Sequence, residues 1–193
     1  MTMKTTNKLL TATALLGTLL ATGSAQAAGE TGAYLLAGGG ISHFNNDCTG
    51  VAKCDNTGSS VKVAGGYRFG NGLAAEVVSL DFGKATGVVS GINVQVKGKA
   101  TGLGLAVHGD FGDKWSGSVR LGAANVKVTG VGSLGTVSVT ESETTTSTYV
   151  GFGLAYRFTP MVSAELGLDA ASGKFSGETA TLRALTLSLG IRF

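Results

Sequence analysis

The chain has one proline, two cysteines and two histidines in 193 residues. Beyond its N-terminus, no apolar run approaches the ~20 residues that a membrane helix needs. With a single proline, and with 32 glycines that follow no Gly-X-Y period and sit inside apolar stretches, collagen and flexible-linker readings fail. An excess of one charge is also missing. Setting aside Lys4 and Lys8 of the first 27 residues leaves 13 basic against 12 acidic side chains, so there is no electrostatic case for a nucleic-acid partner.

Residues 1–27 read as a secretory signal. Lys4 and Lys8 supply a positive start, Leu9 to Leu20 an uncharged apolar core, and Ala25-Gln26-Ala27 a small-x-small cleavage site. The core is too short for a membrane anchor, and no cysteine follows the cleavage site as a lipoprotein would require. The mature domain is expected over 28–193. Cys48 and Cys54 flank Thr-Gly-Val-Ala-Lys, with Asn46, Asp47, Asp55 and Asn56 around them, which is loop chemistry. An exported chain crosses an oxidising compartment, so a local disulfide is the expectation. A metal site would need a matched second pair of ligands, and no metal or other cofactor is expected.

What the mature chain does have is period-2 alternation, broken by Gly/Asn/Asp/Ser/Thr clusters. Leu185, Leu187, Leu189, Ile191 and Phe193 share one face of the last segment, against Thr186, Ser188, Gly190 and Arg192. The pattern recurs over 61–69, 101–110, 115–124, 148–158 and 162–170, more weakly over 73–78. Residues 32–43 are extended as well, but Tyr34-Leu35-Leu36 leaves their parity open. That makes about eight strands.

A soluble sandwich also alternates, so three further features decide. Short connections near 70–72, 109–114 and 159–160 alternate with long ones near 45–60, 83–93, 129–145 and 173–181, as in barrels with short periplasmic turns and longer outer loops. Tyr67, Phe69, Phe111, Trp115, Tyr156, Phe158 and Phe193 gather at the short-turn end, where an interfacial girdle would lie. The polar face mixes charges of both signs with glycine, which suits a narrow interior packed on itself. The expected fold is all-β: an eight-stranded antiparallel transmembrane β-barrel with short periplasmic turns and four longer extracellular loops, in the outer membrane of a Gram-negative bacterium.

On this reading Lys62, Arg68, Arg120, Arg157 and Arg192 share the lumen with Glu76, Glu165 and Asp169. Buried charges must be paired or solvated, so a lumen charge network is expected, with a gate or narrow ion path as the alternative. Gly102-Leu103-Gly104 and Gly151-Phe152-Gly153 look like fragments of nucleotide loops, but neither completes the fingerprint and both lie inside alternating strands. His43 and His108 fall at opposite ends of the barrel. Neither is placed with a serine and an acid as a lipid-modifying hydrolase would need, and no catalytic residue is assigned. The Ser/Thr/Gly/Val-rich stretch 129–147 is read as a solvated loop; its alternative is a β-ribbon whose exposed edge pairs with a host or phage strand.

Gly65-Gly66-Tyr67-Arg68-Phe69-Gly70, Leu73-Ala74-Ala75-Glu76 and Leu80-Asp81-Phe82-Gly83-Lys84 resemble the second hairpin of small outer-membrane barrels typified by the transmembrane domain of outer membrane protein A. The paired cysteines and the closing Leu187-Ser188-Leu189-Gly190-Ile191-Arg192-Phe193 are similar too. The resemblance implies that Glu76 joins the lumen network and that Phe193 is the assembly signal read by the barrel assembly machinery. It implies no tether to the cell wall, since no peptidoglycan-binding domain follows Phe193. The expected function is non-enzymatic: a structural or surface-interaction barrel. Its expected partners are outer-membrane lipids and lipopolysaccharide, the assembly machinery, and a host or phage ligand. A narrow passive channel and a lipid-modifying enzyme are the alternatives.

Overall fold

The computed structural model describes residues 31–45, 53–89, 92–134, 137–175 and 178–193. The 1–27 leader and Cys48, with its expected bridge to Cys54, lie outside them. Eight long strands run β1 (Gly32–Phe44), β3 (Thr57–Arg68), β4 (Leu73–Val89), β5 (Ile92–Asp110), β6 (Trp115–Leu134), β7 (Val137–Arg157), β8 (Val162–Phe175) and β9 (Glu178–Arg192). A three-residue strand, β2 (Lys53–Asp55), lies against the outer end of β4. Each long strand pairs antiparallel with the next, and β1 pairs with β9, so the sheet closes on itself. Closure leaves no edge within the bilayer, where an unpaired backbone group has no water to bind.

The register sets the tilt. From His43 the paired row runs through Arg183, Ala170, Val150, Leu121, Leu105, Ala75 and Tyr67 and returns to β1 at Ala33, a shift from residue 43 to residue 33. Ten residues of stagger over eight strands correspond to a strand tilt of about 35–45°. Residues 69–72, 111–114 and 158–161 make the short turns at the end that also holds Gly32 and Phe193.

Side chains alternate between lumen and exterior, with a shift at one bulge in β4, but what they are changes with height. In the lower part the exterior is apolar. Leu103 is 69% exposed and Leu187 64%, which water would not tolerate around an entire molecule and lipid requires. The interior there holds Lys62, Glu76, Arg120, Glu165 and Asp169, all buried. In the upper part this reverses. Phe44, Leu80, Phe82, Val126, Val128 and Leu182 point inward and are fully buried, while Lys84, Lys99, Lys127 and Arg183 point outward. The chain therefore leaves the membrane as a water-facing barrel with its own apolar core.

This reversal corrects the expected loops. Residues 83–89 continue β4, 129–134 and 137–147 continue β6 and β7, and 173–175 continues β8. The 129–147 stretch is a paired ribbon, with Thr129 opposite Ser142 and Leu134 opposite Val137. Near Lys84 the strand accommodates a bulge: Gly83 takes a positive φ of 67°, and its N–H donates to Asp81 Oδ1 at 2.8 Å. The parity of β1 is settled too: Leu35 and Ile41 face lipid, while Tyr34 and Leu36 face the lumen.

Candidate functional site

The lumen holds one connected network, whose ion pairs join strands that are not neighbours in the sheet. Arg120 on β6 is its hub. Its Nε lies 2.9 Å from Glu76 Oε1 on β4, and its Nη2 lies 2.7 Å from Glu165 Oε2 on β8. Lys62 on β3 reaches Asp169 Oδ2 at 2.7 Å and Glu165 Oε1 at 3.8 Å. Two tyrosines end the chain of contacts. Tyr34 Oη donates to Glu76 Oε2 at 2.7 Å, and Tyr149 Oη donates to Asp169 Oδ1. Three carboxylates thus share two cations and two phenols, so each buried charge faces an opposite charge, while Arg120 Nη1 and Glu165 Oε1 make no hydrogen bond among the described residues.

Alternation explains why these side chains meet. Each is an inward residue flanked by lipid-facing ones, as in Val119-Arg120-Leu121 and Leu168-Asp169-Ala170. The inward glycines leave the room. A Cβ on Gly153 would stand 2.8 Å from Arg120 Nη1 and from Glu165 Cδ, and one on Gly151 would stand 2.6 Å from Asp169 Oδ1. Of the glycine pairs that look like nucleotide-loop fragments, Gly151 and Gly153 pack against the network, and Gly102 and Gly104 lie against the β6 backbone, where an added Cβ would stand 2.5 Å from the Ala123 carbonyl oxygen and 2.4 Å from that of Leu121.

A second, smaller group closes the periplasmic mouth. Arg68 Nη2 lies 3.3 Å and Arg157 Nη1 3.6 Å from the two oxygens of Asp110, and Arg157 Nη2 donates to the Asp113 carbonyl at 3.1 Å. Arg192 lines a cavity of about 50 Å³ there, with Tyr34, Arg68 and His108. Of the charged residues singled out from the sequence, Lys62, Glu76, Arg120, Glu165 and Asp169 form the central network, and Arg68 and Arg157 belong to the mouth. Tyr34, Tyr149 and Asp110 were not singled out. Tyr149 adjoins a lipid-facing Val150 and Asp110 adjoins a turn, so neither stood out against the alternation.

Above the network the six apolar side chains of the upper core fill the lumen. His108 Nε2 lies 3.5 Å from Tyr34 Oη inside the mouth, whereas His43 faces outward at the opposite end. Among the described residues no group of three or more His, Cys, Asp or Glu is arranged to hold a metal ion.

An apolar exterior, a sheet without edges and an interior of paired charges coexist in a transmembrane barrel, and the short turns and one-ended aromatics are those of the bacterial outer membrane. A family model agrees. That of the outer membrane protein beta-barrel domain matches residues 12–193, and the chain belongs to this family. No curated protein matches the chain. Solved structures share the fold at low identity. Neisserial surface protein A is 14% identical, with TM-score 0.61, covering 83% of this chain and 97% of its own. Ail, the attachment invasion locus protein of Yersinia pestis, is 19% identical, with TM-score 0.58, covering 85% and 99%. The N-terminal barrel of Pseudomonas aeruginosa OprF is 16% identical, with TM-score 0.55, covering 85% and 100%.

Proposed function

We propose that this barrel acts through what it presents at the cell surface, as a structural and surface-interaction protein with no catalysis and no solute path of its own. The observation that carries the reading is the β6–β7 ribbon. β7 pairs with β8 only from Tyr149 to Arg157, while its pairing with β6 continues up to Val137. Among the described residues, 137–148 therefore have no second strand partner and offer a strand edge above the membrane, and such an edge accepts an extended segment of another chain. The sequence Val-Ser-Val-Thr-Glu-Ser-Glu-Thr-Thr-Thr-Ser-Thr suits a strand and keeps the edge soluble through two glutamates.

Two closures speak against the channel alternative, the Arg120-centred network below and the apolar core above. Planar-bilayer recording on wild type and Glu76→Ala tests this. Neither protein is expected to conduct, because Glu76→Ala leaves the upper core intact. A steady wild-type conductance that Glu76→Ala alters would establish a pore. Turnover of labelled lipopolysaccharide that is lost on substituting His43 or His108 would establish an enzyme. On the same reading the mature domain spans 28–193, Cys48 is bridged to Cys54, and Phe193 is the signal for assembly.

A further inference from the structure

The exterior changes from apolar to basic at one level. Lys84, Lys97 and Lys99 on β4 and β5, Lys127 on β6, Lys174 on β8 and Arg183 on β9 are all exposed and outward, and His43 on β1 joins them. Correcting the register for the ten-residue stagger, these seven lie within roughly 7 Å along the barrel axis. Their level is that of the outer membrane surface. From Trp115 in the aromatic girdle to Lys127 is twelve residues of β6, about 40 Å of strand and about 28 Å of height at a ~45° tilt, against a barrel apolar band of ~25 Å.

The collar is built against its own electrostatics. Lys99 stands directly opposite Lys127, Lys84 opposite Lys97, and His43 opposite Arg183. Like charges facing across a ladder destabilise a sheet. Among the described residues none of these lysines, nor Arg183, makes an ion pair; the pairs form inside the barrel. Two exposed acids stand at this level, Asp81 opposite Lys99 and Asp55 opposite Thr86, and each accepts a backbone N–H, from Gly83 and Thr57, in place of an ion pair with the collar. No outward aromatic stands here among the described residues, although the opposite rim has Tyr67, Trp115 and Tyr156. The other rim carries a lysine of a different kind, Lys114, whose ammonium lies 5.9 Å from the Tyr156 ring centroid.

We propose that this collar binds the phosphate groups of outer-leaflet glycolipid, the phosphorylated, multiply acylated lipid class to which lipopolysaccharide belongs. The lysines project outward from the barrel wall at the level where its apolar exterior ends, beside the lipid headgroups. Beneath them on the same faces, past Thr101 on β5 and past Asn125 and Ala123 on β6, lie Leu103 and Leu105, and Leu121 and Val119, so one molecule can set its phosphates on the ammonium groups and reach the belt with its acyl chains. A soluble polyanion would use the charges and leave the belt unused. This inference goes beyond the surface-interaction reading and holds whatever the ribbon meets.

The test uses the full-length barrel in phosphatidylcholine nanodiscs, offered bisphosphorylated lipid A, dephosphorylated lipid A, or the acyl-free bisphosphorylated disaccharide, with retained ligand read by native mass spectrometry. Wild type should retain the bisphosphorylated lipid alone. The combined Lys84→Gln, Lys97→Gln, Lys99→Gln and Lys127→Gln protein should lose at least about tenfold in retention, and the four Lys→Arg changes should keep it. Equal retention of the dephosphorylated lipid by wild type would overturn the proposal without any variant, as would undiminished retention by the glutamine protein. Equal retention of the acyl-free disaccharide would show a soluble-anion site and overturn the lipid assignment.

Discussion

Lys62 on β3 and Asp169 on β8 meet at 2.7 Å across the lumen, although two strands separate theirs in the sheet and 107 residues separate them in the chain. This bridge is a tie between opposite walls, with both side chains fully buried. Removing Asp169 leaves the buried Lys62 ammonium with Glu165 alone, at 3.8 Å, and takes the acceptor from Tyr149. Asp169→Ala should cost about 3–5 kcal/mol, whereas the double change Lys62→Met with Asp169→Leu should recover part of that loss, the remainder being the partners taken from Glu165 and Tyr149. Urea unfolding in vesicles, followed by heat-modifiable gel mobility, measures both. Equal loss in the single and double variants would show that the apolar pair does not pack where the charges did.

The upper core should behave as a soluble protein's core does. Phe82 is fully buried among Phe44, Leu182 and their neighbours at a level where the exterior is already lysine. Phe82→Ala should cost about 3–5 kcal/mol, as for an aromatic deleted from any close-packed interior. Phe152 is 54% exposed on the lipid face, so its truncation should cost much less. The same unfolding experiment compares them. If the two losses are alike, the upper lumen is loosely filled.

Glycines separate into two kinds that one substitution each can tell apart. A side chain at Gly153 runs into Arg120, Glu165 and Ser118 Oγ, the last at 2.4 Å from the added Cβ. Gly153→Ala should therefore destabilise by about 1–3 kcal/mol through forced movement of the network. An added Cβ at Gly132 on the ribbon meets nothing within 4 Å. Gly132→Ala should be neutral or slightly stabilising, because it narrows the unfolded ensemble. Urea midpoints of the two variants against wild type decide the matter.

The ribbon should be dispensable for folding and needed for contact. Gly130 pairs with Glu141, so excising 131–140 and joining these two by Asn-Gly leaves the register below unchanged. The shortened protein should keep heat-modifiable mobility and an unfolding temperature within a few degrees of wild type, since outer connections are cheap to alter. Cells displaying it should lose whatever adherence to a host-cell monolayer the intact protein confers. Loss of the folded band instead would make the ribbon part of the stabilising structure.

The lower half of this molecule was readable because one rule holds there: Leu185, Leu187 and Leu189 face lipid, and the residues between them face in. The same rule hid the upper half. On β6 the apolar residues move from Val119 and Leu121, outward, to Val126 and Val128, inward, with no bulge between them. In sequence this is a slip of phase, and a slip of phase looks like the end of a strand. Physically it is the point where the solvent outside changes from lipid to water and the strand continues. The charged members of the lumen network stood out because charge on an alternating strand is rare. Tyr34 and Tyr149, part apolar and part polar, fit either face, and only the closed register decides.

Phe193 separates assembly from stability. Its N–H donates to the Ala33 carbonyl at 2.9 Å, and its side chain is 74% exposed at the girdle. The hydrogen bond survives any substitution except proline, and a ring so little covered by protein contributes little packing to the barrel. If Phe193 is the assembly signal, Phe193→Ala should refold into vesicles from urea with an unchanged midpoint and yet reach the outer membrane of cells in clearly reduced amount. Quantitative blotting of fractionated membranes, beside the refolding curve, reads the two effects apart. A matched fall in both would make Phe193 a stabilising residue, and normal amounts in cells would leave the last strand without a signal at its end.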